Sequence, residues 1–468
     1  MRGMTEPLWT SAEIEAATGG RASAPFEAVG ITFDSREVEP GWLFVAMPGT
    51  VADGHDFVAG AFAAGASGAL VSRPVDGPHV LVTDVPAALT ALAVAARARM
   101  AGKVLGVTGS VGKTSTKEAL AAALERRHRG QVHRSLKSYN NHTGVPLSLA
   151  RMPRDSVFGV FEMGMNNPGE IRALTALVRP HVTLITAIAS AHIENLGSME
   201  AIADAKAEIT EGLEPGGIAI VPNDTPFRDR LVDRARVHAD QVVTFGTGDA
   251  DVAAIHAVRA TSGGSLVTAR LLTSNLTYTV AQPGEHWVSN SLAVLAAVEA
   301  VGADVAAAGL ALGDLGGLKG RGERHRVAVD GGEALLIDES YNANPASMAA
   351  TLKNLAAEPV AGRRLAVLGT MLELGSHSDP EHAGLAPHVL ANKVDELILV
   401  GDATAPLEQA LGGQLPVTRV PDAEAATSLL LRTIKPDDAV LVKASNGVGL
   451  AKLVEQVAGA AAGKGFQP

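Results

Sequence analysis

The residues best suited to chemistry begin with Thr108-Gly109-Ser110-Val111-Gly112-Lys113-Thr114-Ser115. An apolar run over 104–107 reads as a buried strand in front of them, and an Ala-rich stretch from Thr116 onward reads as a helix behind. Strand, Gly-rich turn and helix form the context of a phosphate-binding loop. Gly109 and Gly112 let backbone N–H groups close on phosphate oxygens, and the helix N-terminus adds partial positive charge. In that reading Lys113 reaches the β- and γ-phosphates of a nucleotide and the Thr114 hydroxyl takes Mg²⁺. The strict pattern places glycine at 107, where this chain has Val107, with glycines at 106 and 109 instead.

Further candidates sit where apolar runs end. Glu162 closes the run 157–161, at the strand end where an α/β nucleotide site carries its metal-linked acid. His192 and Glu194 follow the run 182–188. Lys206 falls within a helical stretch over 201–213, beside Asp204 and Glu208, where a solvated helix face is the plain alternative. Asp338 closes the run 335–337 and leads into Glu339-Ser340-Tyr341-Asn342-Ala343-Asn344-Pro345, with a helix expected over 346–356. Nearer the start, Asp34-Ser35-Arg36 and Asp53-Gly54-His55 lie in loops. Their spacing suits a polar ligand and suits a capped turn equally well. Asn140 and Asn141 stand in a polar loop over 138–146, and Asn290 lies early in a helix expected over 287–301.

Alternating strands and helices must position these groups. At 468 residues the chain suggests about three domains. Residues 1–102 read as a small α/β unit with strands over 31–36, 42–46 and 80–83 and helices after Phe57 and over 86–100. Residues 103–325 begin with the phosphate loop and change to short hairpin-like strands from about 242 to 283. Residues 326–468 alternate strands at 335–338, 365–369, 396–401 and 439–443 with helices, which implies a second doubly wound parallel sheet.

Composition narrows the function. The net charge is −11, with 50 acidic residues against 39 basic, which disfavours nucleic acid as a partner. Aromatics make up 3%, too few for base-stacking platforms. There are no cysteines, so thiol nucleophiles, disulfides and thiolate metal sites are excluded. No apolar stretch reads as a signal peptide or a membrane span, and a cytoplasmic protein is expected.

Taken in order, these residues resemble the Mur ligase family, whose members build the peptide stem of bacterial peptidoglycan. The resemblance rests on Asp34-Ser35-Arg36, the Asp53-Gly54-His55 turn, the phosphate loop, and Asn140-Asn141 with Gly144-Val145-Pro146. Glu162-Met163-Gly164-Met165, Ala191-His192, Ala205-Lys206, Asn290, Gly320-Arg321, residues 338–345 and residues 368–375 extend it over nearly the whole chain. It implies a small N-terminal α/β domain binding the UDP-linked substrate, a central P-loop parallel-sheet domain binding ATP, and a C-terminal Rossmann-like domain that closes on ATP. The Tyr-Asn-Ala-Asn-Pro and Met-Leu-Glu-Leu-Gly stretches favour the member that joins D-Ala-D-Ala to UDP-N-acetylmuramoyl-tripeptide. That reaction passes through an acyl phosphate. Alternatives are a sister amide ligase, a folylpolyglutamate synthase or a nucleotide-dependent switch.

The resemblance also implies roles. One Mg²⁺ would be held by Thr114 and Glu162, and a second by His192 with Lys206, the family's carbamylated lysine. Gly109 through Ser115, Asn290, Arg321, Asp338, Tyr341 and Asn342 would meet ATP. Ser35, Asp53, Gly54, His55, Asn140 and Asn141 would meet the UDP substrate, with Asn344 and Lys443 on the D-Ala-D-Ala side. A monomer is expected. The chain departs from the family pattern at Trp287, usually Asn, at Asn446, usually Arg, and at Ala187-Ile188-Ala189-Ser190, where an Asn is usual.

Overall fold

The structure is a computed structural model and describes residues 6–49, 52–190, 193–260 and 264–462. Among these, three large sheets follow one another along the chain.

The first sheet has five strands. Gly30–Thr32, Trp42–Val45, Gly68–Val71 and His79–Leu81 run parallel, with Arg21–Ala22 antiparallel at the edge. The strand expected over 31–36 stops at Thr32. There the Asp34 carboxylate accepts the Arg36 N–H at 3.0 Å and folds Ser35–Glu37 into a short 3₁₀ turn.

The second sheet has nine strands. Its parallel part places Lys103–Thr108 between Phe158–Glu162 and Val182–Ile185. Each of these strands is buried almost throughout, as expected for a parallel strand covered on both faces. The hairpin-like segments Val252–Arg259, Ser265–Arg270 and Asn275–Val280 do not form a separate unit. They extend the same sheet as its antiparallel edge.

The third sheet has six strands and is parallel except for the edge pair Glu323–Val329 and Gly332–Glu339. The strand Gly332–Glu339 lies beside Ala439–Lys443, with Glu339 opposite Lys443. The segment 315–322 carries the chain from the central sheet to this one. Among the described residues no helix is long and apolar enough to cross a membrane.

Candidate active site

The strand Lys103–Thr108 delivers the loop 109–112 to the N-terminus of the helix Lys113–Glu125. Gly109 has φ +150° and Gly112 φ +81°, and both positions need glycine for more than their angles. A Cβ on Gly109 would stand 1.9 Å from Thr186 Oγ1, and one on Gly112 would stand 3.2 Å from the Asn290 amide. Asn290 therefore packs directly on the loop.

The loop is also stapled to the segment after Val182–Ile185. Thr186 Oγ1 donates to Val111 O at 2.6 Å, Ser110 N to Ala187 O at 2.8 Å and Ser110 Oγ to Ala189 O at 2.9 Å. Residues 187 and 189 act here through backbone carbonyls. The departure from the family pattern in this segment leaves those bonds intact.

Lys113 Nζ donates to Gly109 O at 2.7 Å, which folds its amine back over the loop. Burial pushes that ammonium below the usual lysine range, and Glu162 opposes the shift. Glu162 is 1% exposed, and both its oxygens are occupied. Oε2 accepts the Thr114 hydroxyl at 2.8 Å and Oε1 accepts the Asn140 amide at 2.8 Å. Ser138 Oγ lies 3.2 Å from Thr114 Oγ1. Two hydroxyls and a carboxylate converging at the phosphate loop form a hard-oxygen donor set that fits Mg²⁺.

Lys206, on the helix Met199–Ala207, is 1% exposed and lines the same cavity. Burial pushes its amine well below the usual lysine range, and the nearby Lys113 adds to the shift. Among the described residues it has no ion-pair partner. His192, expected beside it, lies outside the described residues.

The other wall comes from the third sheet. Arg321 reaches across to within 3.5 Å of Ser138 Oγ, and its guanidinium stacks 4.1 Å from the Tyr341 ring centroid. Lys443, 3% exposed, donates to Asn342 O at 2.9 Å and lies 3.7 Å from Glu339. Burial pushes Lys443 down and Glu339 up, each countered by the other's charge. Asn344 lines the cavity, while its side-chain oxygen caps the helix Pro345–Ala356 through Ser347 N at 2.9 Å.

Together these groups line one cavity of about 620 Å³. Trp287 lines it while 6% exposed and packed into the central core, so an indole wall replaces the amide usual at that point. Asn446 also lines it, without a guanidinium.

The geometry places two of the expected groups away from this cavity. Asp338 does not open on the cavity. It is 2% exposed, and its carboxylate accepts Ser340 N, Ser340 Oγ and Gly320 N at 3.0, 2.6 and 2.8 Å. Successive side chains on a strand point to opposite faces, and the carboxylate facing the cavity is the next residue, Glu339.

The Asp53-Gly54-His55 turn is likewise built for its own fold. Asp53 Oδ1 accepts His55 N at 3.0 Å and stands 2.7 Å from His55 Nδ1, while Ser72 N donates to His55 Nε2 at 2.9 Å. A Cβ on Gly54 would meet Met47 O at 2.5 Å. Neither this turn nor Ser35 lines the large cavity. The Ser35–Glu37 turn does touch the loop 137–141 that does so: Lys137 pairs with Glu37, and Phe33 packs 5.6 Å from Tyr139. Asn141 lines the cavity and accepts Gly144 N at 2.8 Å, starting the helix Gly144–Ala150.

Sequence reasoning passed over Lys117, Ser138, His286 and Glu339. Lys117 follows Lys113 by one helical turn. It is fully buried and donates to Ser135 O at 2.7 Å and Lys137 O at 2.9 Å, which holds the loop bearing Ser138 and Asn140 against the phosphate loop. The i, i+4 spacing of two lysines at the start of this helix was the available signal.

Comparison with known proteins agrees with this architecture. Residues 27–125 match the Mur ligase family catalytic domain, 107–298 the Mur ligase middle domain and 320–446 the Mur ligase glutamate ligase domain. The UDP-N-acetylmuramoyl-tripeptide--D-alanyl-D-alanine ligase of Escherichia coli is 36% identical over 386 residues, covering 82% of this chain and 83% of that one. The crystal structure of MurF from Acinetobacter baumannii superposes with a TM-score of 0.83 at 29% identity, covering 97% of this chain and 99% of that one. MurF ligase from Thermotoga maritima, solved in complex with ADP, gives 0.76 at 26% identity, covering 93% and 98%. With phosphate loop, buried acid, buried lysine and cross-sheet arginine in one cleft and these matches along its length, the chain belongs to the Mur ligase family.

Proposed function

We propose that the chain is an ATP-dependent ligase that joins D-Ala-D-Ala to UDP-N-acetylmuramoyl-tripeptide, giving the UDP-linked pentapeptide, ADP and phosphate for peptidoglycan synthesis. The observation that carries this reading is the single cleft in which Lys113, Glu162, Lys206 and Arg321 converge from two sheets. A nucleotide switch needs the loop and the acid. It has no use for a second buried amine beside them.

The chemistry follows from charge. An oxygen of the tripeptide carboxylate attacks the γ-phosphorus of ATP, the bond from phosphorus to the β-bridging oxygen breaks, and ADP leaves an acyl phosphate. The amine of D-Ala-D-Ala then attacks the acyl carbon. The tetrahedral intermediate collapses with loss of phosphate, and the amine gives up its proton. Negative charge is carried by phosphoryl oxygens in the first step and by phosphate together with the oxyanion of the tetrahedral intermediate in the second, so fixed cations govern the barrier.

In this reading Lys113 and the N–H groups of 109–115 hold the β- and γ-phosphates, and Asn290 keeps the loop in shape. Arg321, braced on Tyr341, meets the γ-phosphate from the opposite wall. Thr114 and Glu162 would hold one Mg²⁺, and His192 with Lys206 a second. Bound Mg²⁺ supplies positive charge against the phosphoryl oxygens. Lys206, whose burial and whose neighbour Lys113 both favour the neutral amine, suits carbamate formation: its nitrogen bonds to the carbon of CO₂, a proton leaves, and a carboxylate-like ligand results. Lys443, Asn342 and Asn344 lie on the D-Ala-D-Ala side. Ser35, the 53–55 turn, Asn140 and Asn141 lie on the UDP side, with the 53–55 turn shaping the site rather than donating to it.

We assign residues 1–102 to the UDP substrate, 103–325 to ATP, and 326–468 to D-Ala-D-Ala and closure over ATP, in a cytoplasmic monomer. Closure would shield the acyl phosphate from water. The test is tripeptide substrate labelled with ¹⁸O in its terminal carboxylate. Label appearing in the released phosphate is expected, and phosphate free of label contradicts the acyl-phosphate route.

A further inference from the structure

Asp338 touches the cavity nowhere, yet it is buried and fully hydrogen-bonded at the point where the chain enters the third sheet. Its side-chain Oδ2 takes the Gly320 N–H at 2.8 Å and its main-chain oxygen takes the Gly322 N–H at 2.8 Å. The residue between those two glycines is Arg321. Oδ1 takes both donors of Ser340, the residue before Tyr341. Tyr341 N in turn donates to Gly320 O at 3.1 Å. One carboxylate and one carbonyl therefore anchor both segments that carry the stacked guanidinium and phenol.

The crossing loop is tightly specified around this anchor. Gly320 and Gly322 have φ +73° and +88°, and a Cβ on Gly320 would come within 2.9 Å of Tyr341 Cβ. Arg321 N closes the turn on Leu318 O at 2.7 Å. On the outer side Lys319 is tied to Glu455 at 2.8 Å. The loop's geometry is thus referred to the third sheet through Asp338, while Arg321 projects to Ser138 in the central part of the cleft.

We infer that Asp338 is a positioning residue: it fixes the Arg321–Tyr341 pair at the mouth of the nucleotide cleft through the Gly320 and Ser340 N–H groups, without contacting substrate. This rests on the proposed function only in giving Arg321 a nucleotide partner. The consequence is coupling. Removing the anchor matters through Arg321, so it has little left to affect once Arg321 is gone.

The experiment is a double-mutant cycle with Asp338→Asn, Arg321→Ala and the double variant. It reads the Kd for the β,γ-imido analogue of ATP, and KM for ATP against kcat. Asp338→Asn is expected to weaken binding about fivefold in the native background and less than about twofold beside Arg321→Ala. It raises KM more than it lowers kcat. Effects that multiply in the double variant would overturn the inference, as would native affinity in Asp338→Asn. A purely structural role lowers thermal stability and leaves the two effects multiplicative.

A nucleotide-free readout separates this inference from the function itself. The Arg321 Nε–H proton, shifted by the Tyr341 ring current in ¹⁵N-arginine-labelled protein, moves toward the random-coil position in Asp338→Asn. An unmoved signal overturns the inference whether or not nucleotide binds. Native protein that ignores the analogue contradicts the proposed function alone. If Asp338→Asn fails to fold, Gly320→Ala disturbs the same pair from the other side and is expected to show the same coupling to Arg321.

Discussion

Lys117 and Lys206 are both sealed from solvent, at 0% and 1% exposure, and both line or brace the same cleft, yet their surroundings differ. Lys117 has the Ser135 and Lys137 carbonyls and the Glu118 carboxylate within 2.9 Å. Its charge is answered, and its work is to hold a loop. Lys206 has no ion-pair partner among the described residues and faces Lys113, so burial and repulsion both favour the neutral amine. Burial of a lysine does not by itself mark reactivity. A buried amine without an anion is pushed toward the neutral form, and that difference separates the surroundings of Lys206 from those of Lys117.

The largest effect is expected at Lys206. Lys206→Ala removes the amine on which a carbamate would form, and turnover falls by roughly a thousandfold. Added bicarbonate does not restore it, whereas a short carboxylate such as acetate or formate, able to occupy the vacated space, restores part of it. Normal turnover in this variant, measured by phosphate release, removes Lys206 from the account. Stability reverses the order of the two lysines. Lys117→Met leaves buried carbonyls and Glu118 unanswered and is expected to cost about 3 kcal/mol, while Lys206→Met removes an uncompensated amine and is neutral or stabilising by about 1 kcal/mol. Urea unfolding of both variants checks this, and equal losses would erase the contrast.

A pH-dependent effect lies beside Lys117's loop. Burial holds His133 down to about 4, with its Nε2 2.7 Å from Ser148 O. The unfolded chain takes up this proton near the ordinary histidine value, so stability falls as pH drops from about 6.5 to about 4 and is flat in this respect above that window. His133→Gln should flatten the decline by about 1–2 kcal/mol, allowing for partial solvent contact. An unchanged slope in pH-dependent unfolding would show that another group carries it.

The phosphate loop was legible because its chemistry is local. Glycines, a lysine and a threonine at a strand–helix junction fix one another's positions, and Gly109 and Gly112 hold the positive φ that such a turn demands. The alternation of strands and helices gave the sheets for the same reason. What could not be read were facts set by partners distant in sequence. Asp338 and Glu339 are adjacent carboxylates at the end of a largely buried strand, and which one faces the cleft depends on how that strand is phased between its neighbours. The hairpins from 252 to 280 joined the central sheet because Val252 and Ala253 pair in parallel with Phe245 and Gly246, a register that alternation alone does not encode. The Asp53–His55 turn carries residue types that suit ligand binding, and Ser72 and Met47, which occupy them, lie in other loops. Lys206 could be told from an ordinary helix-face lysine by family resemblance, since its enclosure is created by packing with no local sequence signature.

The decisive measurement is phosphate release from ATP and Mg²⁺ with UDP-N-acetylmuramoyl-tripeptide, with and without D-Ala-D-Ala. Release that needs both substrates and yields the UDP-linked pentapeptide is expected. Release indifferent to both would contradict it and leave a nucleotide switch. Silence with the tripeptide but activity with a shorter UDP-linked peptide would assign the chain to a sister reaction.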